Sequence, residues 1–275
     1  MLDYIKKELF SLGIDTVGVL PLEKCRIVRE YKLKKRGFEN INEASVIIFA
    51  IPYFTGHNEK NISSYCIPRD YHLYCKELFV TILPRFEDNF PGYLFAGFAD
   101  DSPIDERDAA ARAGLGIIGD NGMLITEKYS SYVFLAEIVT TLPIKSYTDR
   151  EIMHCEGCGA CKKACPMGNT GECLSAITQK KGDLTETEKK AIQRYGSAWG
   201  CDLCQESCPH TIKAICTGDI YTNIDFFKTD LTPFLTKRAI EEMGDEEFSS
   251  RAYSWRKKDT ILRNLSILEN SKERG

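Results

Sequence analysis

What this 275-residue chain lacks narrows it first. No run of about 18 apolar residues is present, so no membrane-spanning helix is expected. The start, "MLDYIKKELFSLG", alternates charged and apolar residues and has no signal-peptide apolar core, which points to a cytoplasmic protein with no membrane partner. Positive charge is not in excess. Lys and Arg total 36 against 40 Asp and Glu, the formal net charge is −4 and the pI about 5.7, so no global field gathers nucleic acid, although a local basic patch is compatible with these totals. A dinucleotide phosphate loop is also missing. "GLGIIG" (114–119) follows a helical stretch instead of closing a strand, and its glycines read as a turn. There is no nucleophile elbow, no His-Glu-x-x-His zinc motif, no internal repeat and no low-complexity linker.

What is present begins with an α/β pattern over residues 1–145. Leu2, Ile5 and Leu9 recur at helical spacing, with Gly13 as a stop. Strands are expected at 15–20, at 45–53, where "SVIIFAIPY" is continuously apolar, at 93–100, at "MLIT" and at "YVFLAEIVT". Helices are expected over 69–83 and 103–113, the second capped by Asp101 or Ser102, opened by Pro103 and left at Gly114. Residues 146–218 form a second unit, where β-branched runs disappear and cysteines concentrate, folded around metal more than around a large core. Residues 219–275 are rich in helix formers.

Twelve cysteines in a reducing compartment point to metal ligation before disulfides. Cys155-x2-Cys158-x2-Cys161-x3-Cys165-Pro166 is the bacterial ferredoxin run, in which three close thiols wrap one corner of a cubane and the fourth ligates the neighbouring cluster. Cys201-x2-Cys204-x3-Cys208-Pro209 is a second set one ligand short, and Cys173 lies between the two to supply it. The expected sites are two 4Fe–4S clusters, one on Cys155, Cys158, Cys161 and Cys208, the other on Cys165, Cys173, Cys201 and Cys204. Structural zinc is the alternative, but paired zinc knuckles do not need the three-thiol wrap followed by x3-Cys-Pro. Cys25, Cys66, Cys75 and Cys216 read as small core residues.

A ferredoxin alone has no use for the preceding 145 residues, which should house an electron acceptor. Here "RDYH" (69–72), "ADDSPIDERDAAARAGLGIIGDN" (99–121), "SYVFLAEIVT" (131–140), the cysteine block with "GCDLCQESCP" (200–209) and "RKKDTILRN" (256–264) follow one another in the order seen in epoxyqueuosine reductases. The chain resembles that family over nearly its whole length. The resemblance implies an α+β protein: a nitroreductase-like α/β domain that binds cobalamin, then a ferredoxin-like double-cluster domain, then C-terminal helices. It implies a reductase that completes the queuosine modification of tRNA, fed by an external low-potential donor such as flavodoxin or ferredoxin.

By the same resemblance Asp100 is the proton donor. A carboxyl at the end of the strand "YLFAGFA", buried beside a corrin, is expected to have a raised pKa. Asp70, His72, Leu124, Leu135, Ser175 and Asp202 are the implied cobalamin contacts, the two leucines through backbone amides, and no histidine of the chain is expected on cobalt. The chain departs from the family at Asp120, where a lysine is usual, at Ser130-Ser131 and Leu135-Ala136, where glycines are usual, and in ending near where a helical-repeat domain would begin. Those departures keep a second reading open, a corrinoid-dependent reductase or dehalogenase of a small molecule. A third is an iron–sulfur electron carrier, which would need no proton donor.

Overall fold

The computed structural model describes residues 1–40, 42–56, 59–168 and 172–272. Its first half is built on helix α1 (Leu2–Ser11), strand β1 (Thr16–Pro21), α2 (Glu30–Lys35), β2 (Ser45–Pro52), α3 (Tyr71–Asn89), β3 (Phe95–Phe98), α4 (Glu106–Arg112), β4 (Gly116–Ile118), β5 (Leu124–Thr126) and β6 (Val133–Thr140). Every residue of β2 is buried, as its unbroken apolar run requires of a central strand. Period-two alternation divides them. Ile47, Phe49 and Ile51 face α1 and α3 through Ile5, Leu9, Leu78, Ile82 and Phe86. Val46, Ile48 and Ala50 face Leu33, Phe38 and the alanines 109–111 of α4.

The sheet order is β1-β2-β6-β3, and every pairing is antiparallel. The α+β expectation holds at this coarse level; the alternating sequence pattern had not distinguished it from a parallel sheet. Three local expectations need correction. Helix α3 does not stop near 83 but continues through Pro84 to Asn89. The carbonyl that loses its donor belongs to Val80, whose side chain is 71% exposed, on a face that water can satisfy. Helix α4 is capped by Asp105, which accepts from the Asp108 amide at 3.1 Å, and Pro103 lies ahead of the helix. Ser102 serves a different purpose described below, and Asp101 pairs with Lys32. Finally, "GLGIIG" is not all turn: Gly114 (φ +83°) makes one and Gly119 opens another by accepting from the Gly122 amide at 2.8 Å, but Gly116–Ile118 between them pairs with Leu124–Thr126 as a hairpin.

The cysteine-rich stretch carries short helices α5 (Ala160–Ala164), α6 (Leu174–Thr178), α7 (Glu186–Tyr195), α8 (Leu203–Glu206) and α9 (Pro209–Thr217) around a small apolar cluster of Met167, Leu174, Ile177, Leu184 and Ile192. After it come α10 (Lys237–Glu242), α11 (Asp245–Ser249) and α12 (Lys257–Lys272). The three segments interlock. Ala214, Ile220, Ile224 and Phe227 complete the core under α1 and α3, and Ile224 presses on Gly13, where an added Cβ would lie 2.9 Å from it. Asn61 exchanges two 2.8 Å hydrogen bonds with the Leu235 backbone, and Asn264 donates to the carbonyls of Thr178 and Ala198. No helix among the described residues is long and apolar enough to cross a membrane.

Candidate active site

Strand β3 ends in a sharp turn whose tip is Asp100. Its φ of +61° lies in the left-handed region that a non-glycine residue adopts at a cost, and such strain persists where the surroundings enforce it. One enforcing contact is visible: the Asp100 amide donates to the Glu106 Oε1 at 3.1 Å. Beside the tip stands His72, in the first turn of α3. Its Nδ1 is 2.8 Å from Asp70 Oδ1 and its Nε2 is 3.6 Å from Asp100 Oδ2, so the imidazole lies between two carboxylates. Asp70 is also the N-cap of α3, accepting from the His72 amide, which fixes the ring relative to the helix. The ring of Tyr71 stacks on Phe134 of β6 at 4.0 Å and holds the start of the helix on the sheet.

The charges correct one expectation. Asp100 is not raised, because its side chain is 70% exposed and the adjacent His72 holds it below the usual carboxylate range. His72 is the group that moves up, to about 9, through Asp100 first and then Asp70. At neutral pH the available proton therefore rests on His72.

Beneath this pair lies a second one that the sequence reading passed over. Glu137 of β6 is fully buried; one oxygen accepts from the Ser102 hydroxyl and the other has no donor among the described residues. Its neighbour is the carboxyl of Glu106, and two carboxylates cannot both stay ionised there. Burial pushes Glu106 up to about 7 and, together with Glu106, pushes Glu137 well above the carboxylate range. A proton on Glu137 donated to Glu106 gives the orphaned oxygen its partner. The only signal in the sequence was a lone acid inside the apolar strand "FLAEIVT".

The structure brings four of the eight cysteines to one cavity. Cys155, Cys158, Cys161 and Cys208 line one cavity of about 220 Å³, together with Asp120, Asn121 and His210. Left-handed glycines at 157 and 159 turn the loop around it, and the Asp120 amide donates to Cys155 Sγ at 3.3 Å. Cys173, Cys201 and Cys204 lie close enough to perturb one another electrostatically, and Cys165 packs with Cys201 against the small cluster that contains Leu174. Burial pushes Cys201 up to about 12, so a thiolate there needs a compensating cation. Among the described residues no three His, Cys, Asp or Glu side chains converge on the position of a single ion; the thiols frame a space. Cys25, Cys66 and Cys75 are buried as expected, but Cys216 is exposed, because α9 buries Thr211 and Ala214 and turns Cys216 outward.

The other sequence-predicted positions are scattered. Leu135 lies in the half of β6 beyond the end of β3, which pairs with residues 137–140, so one edge of residues 133–136 carries no strand partner among the described residues. Leu124 is buried in the second core and pairs with Ile118. Ser175 is half-buried and accepts from the Gln179 amide group at 3.1 Å. Asp202 faces inward: its carboxylate receives the Lys60 ammonium, the Ser63 hydroxyl and the Ser64 amide, and its side chain is 1% exposed. That side chain clamps the cysteine-rich segment onto residues 60–64. Of the four histidines, His57 lies outside the described residues.

No protein-family model matches the chain. It is, however, similar to the epoxyqueuosine reductase of Gloeobacter violaceus, 33% identical over 74% of this chain and 68% of that one, and to that of Listeria monocytogenes, 31% identical over 96% and 80%. The chain belongs to the epoxyqueuosine reductase family. It is an oxidoreductase. The fold agrees: the structure of the epoxyqueuosine reductase from Streptococcus thermophilus superposes with a TM-score of 0.75 at 24% identity, covering 99% of this chain and 81% of that one. An epoxyqueuosine reductase solved with an epoxyqueuosine-modified tyrosine-tRNA stem loop gives 0.73 at 24% identity, over 98% and 81%.

Asp120 binds Lys162 at 2.6 Å. Ser130 adopts a φ of +49°, and its hydroxyl meets that of Thr211 at 2.7 Å.

Proposed function

We propose that this epoxyqueuosine reductase homologue reduces epoxyqueuosine to queuosine in tRNA, using cobalamin and two 4Fe–4S clusters. The observation that carries the reading best is the Asp70–His72–Asp100 arrangement at a strained tip, because an electron carrier has no use for a supplied and oriented proton. The proposed cluster ligands are Cys155, Cys158, Cys161 and Cys208 for one and Cys165, Cys173, Cys201 and Cys204 for the other. A space framed by thiols, with an amide aimed at sulfur, suits a cluster better than a single zinc ion. The residues also fit cobalamin. The unpaired edge at 133–136, Leu135 included, offers backbone amides to the carboxamide arms of a corrin, and Asp70, His72, Asp100, Leu124 and Ser175 complete the proposed contacts. No histidine of the chain is proposed on cobalt. Held by these residues, cobalamin would supply the two electrons of the reduction, and the clusters would relay them to it.

The residues of the chain supply the rest. Asp100 delivers a proton to the departing epoxide oxygen, and His72, protonated at neutral pH, replaces it. Asp70 keeps the imidazole charged and aimed. Glu106 holds the Asp100 amide and thereby the tip. As domains we propose residues 1–145 for cobalamin, 146–218 for the clusters and 219–275 as a helical segment that packs on both. The test is to reconstitute the protein anaerobically, add cobalamin and a low-potential reductant, and look for queuosine by mass spectrometry of tRNA nucleosides. Absence of queuosine from fully loaded protein would transfer the chemistry to a small-molecule substrate.

A further inference from the structure

Resting on that reading, we propose that the groove between α2 and α3, over the edge of β3, binds the single-stranded sugar–phosphate backbone of RNA next to the nucleotide at Asp100. The groove has a volume of about 720 Å³ and ends at His72 and Asp101, the two residues that flank the catalytic tip. Its charge runs against that of the whole protein. Lys32, Lys35, Arg36, Lys76 and protonated His72 line it, with Asp101 as the single carboxylate, whereas the chain carries a net −4. Lys32 is taken by Asp101. Lys35 and Lys76, on opposite walls, are exposed and make no ion pair among the described residues, and exposed Arg36 lies 6.0 Å over the ring of Phe98. Two ammonium groups without an ion pair among the described residues, one from each helix lining a trough, suit a polyanion.

One ring helps to specify which polyanion. Phe79, half-buried, lines the groove on the α3 side, and Gly97 is what lets it lie against β3, since an added Cβ would stand 2.3 Å from that ring; Phe98 is buried on the opposite face of the strand. Cations along a groove with an aromatic ring beside them are the arrangement that takes unpaired nucleotides, phosphates on the cations and a base against the ring. An acidic protein donor of electrons is the competing occupant. No cluster cysteine lines this groove, and the cavity of Cys155 and Cys208 has a separate lining, so a donor docked here would gain no route to the clusters.

The test uses the reconstituted holoenzyme and a fluorescent anticodon stem loop, titrated from low to physiological salt, with Lys35→Glu/Lys76→Glu against the charge-matched control Lys190→Glu/Lys213→Glu. The groove variant should bind roughly tenfold more weakly or worse, and its salt slope should be shallower by about 1.4, from two lost phosphate contacts at about 0.7 each. KM for tRNA should rise with kcat little changed, and the control should match wild type. Equal affinity, slope and KM in the two variants would overturn the proposal even while wild type makes queuosine. A groove variant impaired only with a protein reductant, and normal with a chemical one, would overturn it in favour of the donor. A wild type that makes no queuosine ends the functional reading; if it still binds the stem loop with the same difference in slope, the groove stands as an RNA site.

Discussion

The position of the proton can be tested directly through Asp70. His72 sits between two carboxylates and titrates at about 9, with Asp100 the larger cause and Asp70 the second. Because the folded pKa is raised, the ring is charged throughout the neutral range and loses its proton only as pH climbs through about 9. Single-turnover reduction of bound substrate should therefore show a falling alkaline limb centred there. Asp70→Asn removes one of the two charges. Asparagine caps a helix as well as aspartate does and still accepts from the His72 amide, so α3 should be undisturbed. Loss of one partner at 2.8 Å should lower His72 by about one unit, moving the limb to about pH 8. Starting each turnover from enzyme whose cofactors are already reduced keeps the pH dependence of the reductant out of the rate. At pH 7 the variant should remain close to wild type, and by pH 9 it should be several-fold slower. A limb that stays put, or a rate that drops equally at every pH, would show that His72 is not the proton reservoir.

Asp100→Asn should leave cobalamin binding intact, measured by its visible spectrum, while slowing the chemical step by about 10²–10⁴-fold. Cys208→Ser and Cys173→Ser should each reduce iron from about eight to about four per chain after reconstitution, because each strips a different cluster. Loss of both clusters in either variant would refute the ligand assignment. Glu137→Gln should stabilise the protein at pH 8 and not at pH 4. A carboxyl whose folded pKa is raised favours the folded state when protonated, and that contribution is lost as pH rises through the window above its ordinary value. Glutamine accepts from Ser102 and donates to Glu106 without a proton to lose. The gain should be about 1–3 kcal/mol, read as a melting temperature a few degrees higher at the alkaline end only.

The parts of this protein legible in the sequence are those whose signal is local. Thiol spacing is a property of one loop, and it anticipated the four cysteines around one cavity, Cys208 included. The unbroken apolar run at 45–53 anticipated a central strand, and Asp100 could be singled out from the motif around it. Features requiring two distant segments were not visible. The antiparallel order of the sheet depends on which strands meet, and the alternating pattern is silent on that. Lys60 and Asp202 are 142 residues apart, and nothing around either suggests a buried pair. Glu106 and Glu137 look like an ordinary helix carboxylate and a lone strand acid until the fold brings them together. The pKa of Asp100 was misjudged for the same reason: the exposure of its side chain and the nearness of His72 are both tertiary facts.

The residues noted at 120, 130 and 136 show which requirements belong to the backbone and which to the side chain. A carboxylate beside a loop of closely spaced thiols would ordinarily add repulsion. Here the Asp120 amide, which any residue possesses, is what reaches Cys155, and the carboxylate is neutralised by Lys162 of α5. The need at 120 is thus for an N–H in the right place, and the sign of the side chain is free so long as something answers it. At 130 the need is for a left-handed turn, which serine meets at a cost of about 1–2 kcal/mol that its bond to Thr211 offsets in part. Ala136 is fully buried between the sheet and α3, so its methyl lies in the apolar core and not on the free edge. Of these positions only 120 touches a proposed cluster cysteine, and it does so through its backbone amide. The proposed chemistry is therefore compatible with these three residues, because each meets its local requirement through its backbone, a neighbouring partner or the apolar core.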